Sequence, residues 1–247
     1  MTSIEEVATE GNAVGGTGAC SVRGLQRRII MPMRFHDRAE AGQQLAAQLQ
    51  DYAGRPDVIV LALPRGGVPV AYEVARGLRA PLDVFVVRKL GMPGHEEYAI
   101  GALASGGVRL INEQAVALHG LDPGEIDRVA AAEQTELERR ERSYRGERPF
   151  PDLHGKTVIL VDDGLATGST MRAAVQALRL EGPEKIVVAV PVSAADTCFA
   201  FRDIADDVVC IMTPDPFYAV GLWYEDFSQT TDEEVHELLD RARVRAA

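Results

Sequence analysis

The sequence predicts an α/β protein built on a doubly wound, mainly parallel sheet. Three observations carry that prediction. Short continuous runs of β-branched and aliphatic residues, "VIVLAL" and "TVILV" among them, have the pattern of strands buried on both faces. Segments of helical apolar period lie between these runs. Each Gly-rich or small-residue loop follows a run and precedes a helical segment, the order in which α/β proteins alternate their elements.

The elements follow in chain order. Residues 1–33 are low in hydrophobicity and contain "GNAVGGTGAC", so they are expected to form a flexible N-terminal leader; no basic stretch followed by an apolar one marks a secretory signal. Asp37 is placed to cap a first helix whose face is Ala41, Leu45, Ala46 and Leu49. The run Asp57–Leu63 is a strand that stops at "PRGG". Val70, Ala71, Val74, Ala75 and Leu78 then give a helix face, and "LDVFVV" (Leu82–Val87) is the next strand. A right-handed crossover makes the two strands a parallel pair. The stretch "AIGALASGGVRLI" predicts a hairpin, and a charged helix is expected from Pro123 to about Tyr144. A second unit repeats the scheme. It comprises Lys156–Val161, a loop, a helix faced by Met171, Ala174, Val175 and Leu178, and strands Lys185–Val192 and Asp207–Met212.

Bulk properties narrow the function classes. The 247 residues, 46% of them hydrophobic, can bury one sizeable core, so a single domain over residues 34–247 is the simpler expectation. With 26 basic against 37 acidic residues the net charge is −11, a field that repels nucleic-acid phosphates. The arginines of "EQTELERRERSYR" have acidic neighbours and read as a solvated helix face. No apolar run approaches the roughly 20 residues that span a bilayer. Cys20, Cys198 and Cys210 lack the spacing of a zinc site or disulfide framework, which points to a reducing, cytoplasmic setting.

The chemistry concentrates in "VILVDDGLATGST", Val158–Thr170. Ligands of open α/β sheets sit beyond the carboxyl ends of the strands, where this loop lies. Ala166, Thr167, Gly168, Ser169 and Thr170 are small or hydroxylated. They let backbone N–H groups close around an anion at a helix N-terminus, where unpaired donors and the helix dipole both favour negative charge. Asp162 and Asp163 repel that anion, so they should face hydroxyl groups or a cation; a sugar phosphate meets both demands. An Asp-Gly turn with no ligand is the plainer reading, and Asp163-Gly164 alone would fit it. Neither the Walker loop nor GxGxxG occurs in this sequence.

This run resembles the phosphoribosylpyrophosphate (PRPP) signature of the type I phosphoribosyltransferases. The resemblance spans residues of about 35–235 in architecture, with specific motifs in four loops. It implies a phosphoribosyltransferase-like core carrying a small hood at about 213–230 and a helical insert at about 123–148. Asp162 and Asp163 would bind the ribose hydroxyls, and Ala166 to Thr170 the 5-phosphate. Arg65, Gly66 and Gly67 stand where the family has its pyrophosphate loop, whose peptide is often cis; an ordinary strand-to-helix turn explains the glycines but not the arginine. Arg88 and Lys89 are expected at a strand end, aimed at pyrophosphate. "LGMPGHEEY" occupies the place of the flexible catalytic loop, which gives Glu97 the role of assisting the leaving base, with His95 and Glu96 beside it. In "PDPFYAVGLWYEDF", Tyr218 is the candidate to stack on a base, Ala219 to offer backbone contacts and Glu225 to contact the base. The alternative is that Phe217, Tyr218, Trp223 and Tyr224 form a small core.

The resemblance implies transfer of the phosphoribosyl group from PRPP to a nitrogenous acceptor, a nucleobase by analogy, with Mg²⁺ carried in by PRPP and pyrophosphate released. Purine salvage is the metabolic setting this suggests. Two departures bear on the acceptor. Enzymes for 6-oxopurines carry an acid where Ala166 stands and a lysine after the strand that here runs into "PVSAADT", so hypoxanthine and guanine are disfavoured. A PRPP sensor without turnover is the rival reading. A hydrolase on the same sheet lacks a Cys-His or Ser-His arrangement. The helical insert is expected to serve packing or self-association into a homodimer.

Overall fold

The computed structural model describes residues 34–246, so the expected leader lies outside the described residues. Five parallel strands form the central sheet: β1 (Val58–Ala62), β2 (Leu82–Val84), β6 (Thr157–Val161), β7 (Lys185–Val192) and β8 (Asp207–Met212), in the order β2-β1-β6-β7-β8. β1, β6 and β7 carry almost nothing but Val, Ile, Leu and Ala, and nearly every residue in them is buried. Each such side chain taken from water stabilises the fold by about 1.5–3 kcal/mol before the entropy of ordering it is subtracted.

Helices cover both faces. On one side, α1 (Arg38–Gln48), α2 (Gly67–Leu78), α4 (Pro123–Arg145) and α7 (Asp232–Ala246) contribute Leu45, Val74, Leu78, Leu137 and Leu239 to a core with Val60 and Ile159. On the other, α5 (Ser169–Leu180) and α6 (Ala195–Phe201) bury Met171, Val175, Leu178 and Phe201 against Leu61, Leu160 and Val188. The capping expectation holds: Asp37 accepts from the Glu40 N–H at 2.8 Å, satisfying one of the unpaired amides at the start of α1.

Two readings are corrected. Leu82–Val87 is not one strand. β2 ends at Val84, and the chain leaves the parallel sheet to begin β3 (Val87–Met92) in a separate antiparallel sheet, β3-β4-β5, with β4 (His95–Ala104) and β5 (Val108–Ile111). "LGMPGHEEY" is accordingly a hairpin rather than an irregular loop: Met92 pairs with His95 around Pro93-Gly94, and the ladder breaks register near Gly91. Period-2 burial is nearly absent from β4, whose first five residues are exposed, so alternation did not announce it. The β4–β5 hairpin, by contrast, falls where the sequence placed it, with Gly106 and Gly107 both at positive φ in its turn.

The charged helix α4 is more than a solvated face. Arg145 at its end is 5% exposed and donates to Asp83 Oδ1 at 2.9 Å, to the Val84 carbonyl at 2.5 Å and to Ser105 Oγ at 3.2 Å. A buried guanidinium with this many acceptors fastens the insert to β2 and to the antiparallel sheet. α3 (Glu113–His119), α6 and α7 were not foreseen in the sequence.

Candidate active site

The chain passes from β1 to β2 on one side and later returns to β6 on the other side of β1. The order reverses between β1 and β6, and the two loops that leave their carboxyl ends therefore diverge around a crevice. Ala62 pairs with Val161, so "PRGG" and "DDGLATGST" begin side by side. A pocket of about 180 Å³ opens there, lined by Asp162, every residue from Gly164 to Met171, and Val220 of the hood segment.

The residues expected to hold the 5-phosphate are braced from behind. Gly168 has φ +67°, and a methyl group there would stand 2.6 Å from the Phe201 ring and 3.0 Å from Thr197 Cγ2. Glycine is thus required both for the left-handed turn into α5 and for the close approach of α6. Thr197 Oγ1 donates to the Ala166 carbonyl at 2.8 Å, and Leu165 bridges to Ser193 beyond β7. Ala166, Thr167, Ser169 and Thr170 remain exposed toward the pocket at the start of α5. Lys89 Nζ reaches across from β3 to donate to Ser169 Oγ at 2.7 Å, which brings a mobile positive charge to the loop.

The two acids are treated differently. Asp162 lines the pocket and accepts from the Asp163 N–H at 2.9 Å. Asp163 turns its Oδ2 toward Arg38 Nε, 2.9 Å away, with both side chains largely buried. Burial and the neighbouring Asp163 charge push the Asp162 carboxyl well above the usual carboxylate range. Burial also raises Asp163, against the opposing pull of Arg38. Tyr224 donates to the Asp163 carbonyl at 2.6 Å, and burial raises its phenol as well.

The β1–α2 turn presses on these acids. A methyl group at Gly66 would lie 2.1 Å from Asp163 Oδ2, and one at Gly67 would lie 2.8 Å from the Val161 carbonyl. The Pro64-Arg65 peptide is cis, as the resemblance implied. Arg65 follows the carboxyl end of β1 and is partly exposed, and its charge acts on the Tyr144 phenol of α4.

Other expected residues are dispersed. Arg88 lies within β3 rather than at the end of a parallel strand, and its guanidinium is paired with Glu133 of α4 at 2.6 Å. Glu97 is exposed on β4. Tyr218 is 78% exposed and Ala219 is exposed. Glu225 pairs with His36 at 3.0 Å, a contact that raises the imidazole above its ordinary value. The small-core reading holds for Tyr224, which is buried with Phe35, Ala41 and Val192, and for Phe217 and Trp223, which pack against that cluster. Arg38, Thr197, Phe201 and Val220 were missed. No local pattern marks them, because each meets the site through the tertiary fold; Arg38, for one, is 125 residues from its acid.

A parallel sheet wound on both faces, a flanking antiparallel sheet and a small-residue loop at its switch point define the phosphoribosyltransferase class of α/β fold. The comparisons agree. Residues 34–222 match the Phosphoribosyl transferase domain family, and the chain belongs to that family. It is 49% identical over 208 residues to the Mycobacterium tuberculosis proteins named "Putative phosphoribosyl transferase" MT0597 and Rv0571c, covering 84% of this chain and 47% of theirs. The chain therefore spans about half the length of these curated relatives. The crystal structure of TT1426 from Thermus thermophilus superposes with a TM-score of 0.74 at 44% identity, covering 84% of this chain and 98% of that one. Among the described residues, no helix is long and apolar enough to cross a membrane.

Proposed function

We propose that this chain transfers the 5-phosphoribosyl group from PRPP to a nitrogenous acceptor, a nucleobase being the first class to screen, and releases pyrophosphate. The observation that carries the reading is the pocket at the β1/β6 switch point, in which a helix N-terminus and the Asp162 carboxyl face one small volume, with Asp163 next along the chain. The amides of Ala166–Thr170 would hold the 5-phosphate, with Lys89 as counter-charge. Asp162 and Asp163 would accept the ribose hydroxyls. The Arg65-Gly66-Gly67 turn would face pyrophosphate, with Arg65 supplying charge.

Chemistry at C1 then needs little beyond position and field. Pinning the sugar by its phosphate and diol fixes C1 relative to an incoming nitrogen. The acids place negative charge near an oxocarbenium-like centre as the leaving group departs. Mg²⁺, arriving on PRPP, would offset the charge of the departing pyrophosphate. Arg88 would have to leave Glu133 to contribute, and the exposed β3–β4 hairpin with Glu97 is the element free to fold over the substrate. The present Arg88–Glu133 pair favours a second reading, a PRPP sensor that does not turn over.

Calorimetry with PRPP and Mg²⁺, followed by a screen of bases for pyrophosphate release, tests the proposal. Saturable PRPP binding with turnover on one base is expected; binding without turnover on any base selects the sensor. Asp163→Ala is expected to abolish PRPP binding while circular dichroism remains that of the parent. An unchanged affinity in that variant removes the support for the assignment.

A further inference from the structure

We propose that Arg38 is a positioning residue of the diol site, clamping Oδ2 of Asp163 so that Oδ1 is presented to the ribose. This rests on the functional reading above and adds to it a residue outside the four loops. The guanidinium is held on three sides. Nε donates to Asp163 Oδ2 at 2.9 Å, Nη1 donates to the Ser228 carbonyl at 2.7 Å, and the group lies 3.9 Å from the centre of the Phe227 ring. The Arg38 side chain is 11% exposed and that of Asp163 15%. A planar fork held by stacking loses little freedom on binding a carboxylate, and burial strengthens the bond. An ornamental surface pair would have none of these supports.

The clamp also links three parts of the chain. α1 supplies Arg38, β6 delivers Asp163, and the hood segment supplies Phe227, Ser228 and the Tyr224 hydroxyl that holds the Asp163 carbonyl. The hood is thereby fastened to the acid that the substrate needs. Burial alone would favour the neutral carboxylic acid, which can no longer accept at both oxygens. Arg38 is the cation opposing that. The other groups facing Asp163 do not replace it. Asp162, from the same strand end, carries like charge, and Tyr224, from the hood, is a neutral phenol. The β1–α2 turn brings Gly66, which has no side chain. Asp37, Asp226 and Glu234 line the pocket on the outer side of Arg38 and are acidic.

Without Arg38 the Asp163 carboxyl should therefore titrate higher and be protonated at mildly acidic pH. The test uses the full chain with Arg38→Gln and Arg38→Lys, and calorimetry with PRPP and Mg²⁺ from about pH 6 to about pH 9, where a charge-assisted bond corresponds to about tenfold or more in affinity. Arg38→Gln is expected to weaken PRPP binding about tenfold or more at the acid end, with the deficit shrinking toward the alkaline end as Asp163 ionises. Arg38→Lys should recover most of the affinity at low pH. Equal affinity in Arg38→Gln, or a loss that is uniform with pH and not rescued by lysine, overturns the proposal. If Arg38→Gln does not fold, Phe227→Leu, which keeps the charge and removes the stacking, is expected to show a smaller loss with the same pH trend; parental affinity at every pH overturns the proposal. Carboxyl-carbon NMR of Asp163 in the unliganded protein separates this from the functional reading. Should the parent fail to bind PRPP, the functional reading falls, and an Asp163 titration that does not move between parent and Arg38→Gln removes the clamp as well.

Discussion

Replacing Gly66 with alanine tests the packing of the site most directly. The added methyl would stand 2.1 Å from Asp163 Oδ2 and 2.9 Å from its Cγ, with Arg38 Nε at 3.5 Å. Ordinary contact needs roughly 3.5 Å, so the overlap is more than about an ångström. The carboxylate cannot swing aside freely, because Arg38 holds it and its carbonyl is bonded to Tyr224. Either the turn or the acid must shift, an overpacking that costs about 1–3 kcal/mol. For a chain of this size that lowers Tm by roughly 2–12 °C. On the proposed function, displacing Asp163 would also remove a charge-assisted hydrogen bond to the sugar, about 1.5–3 kcal/mol, and weaken PRPP binding roughly 10–150-fold. Differential scanning calorimetry and PRPP titration measure the two effects. Gly155→Ala is the control: φ is +68° there with no atom within 4 Å, and the site lies at the opposite end of β6. It should lose about 1–2 kcal/mol from backbone conformation and keep its PRPP affinity. If Gly66→Ala binds PRPP as the parent does, the turn does not press on the acid and the reasoning fails.

The remaining predictions concern charge. Asp162 has its carboxyl raised by burial, so the native state binds more protons than the unfolded chain between the ordinary carboxylate value and the raised one, and stability falls as pH rises through that window. Asp162→Asn should therefore raise Tm at neutral pH, raise it less near pH 4, and abolish PRPP binding; a lower Tm at neutral pH would contradict the burial argument. Lys89→Met should weaken PRPP binding about fivefold or more and reduce its dependence on salt, since an exposed cation acts through a screened field; titrations at low and high ionic strength decide it. Arg145→Met strands Asp83 in the interior and should cost about 3–5 kcal/mol in urea unfolding. A loss under about 1 kcal/mol would reduce that arginine to the worth of a surface pair.

The parts of this protein legible in its sequence are those governed by neighbours along the chain. Apolar runs mark the central strands because burial leaves few polar positions in them, Asp83 of β2 and the half-buried β8 being the departures, although Leu82–Val87 conceals the point where the chain leaves one sheet for another. The run Ala166–Thr170 declares a tight turn into a helix because backbone conformation at Gly168 and unpaired helix amides are local properties. The partners of side chains are set by which elements the fold brings together. Arg88 meets Glu133 rather than the crevice because β3 turned out of the parallel sheet and α4 packed across it. Glu225 faces His36, and Arg38 faces Asp163, because the segment at Phe35 runs parallel to the one at Tyr224. Periodicity and turn chemistry act over a few residues, so they determined the strands and the small-residue turn into α5; Coulombic and packing contacts act through space, so only the tertiary structure decided which charges stand at the site.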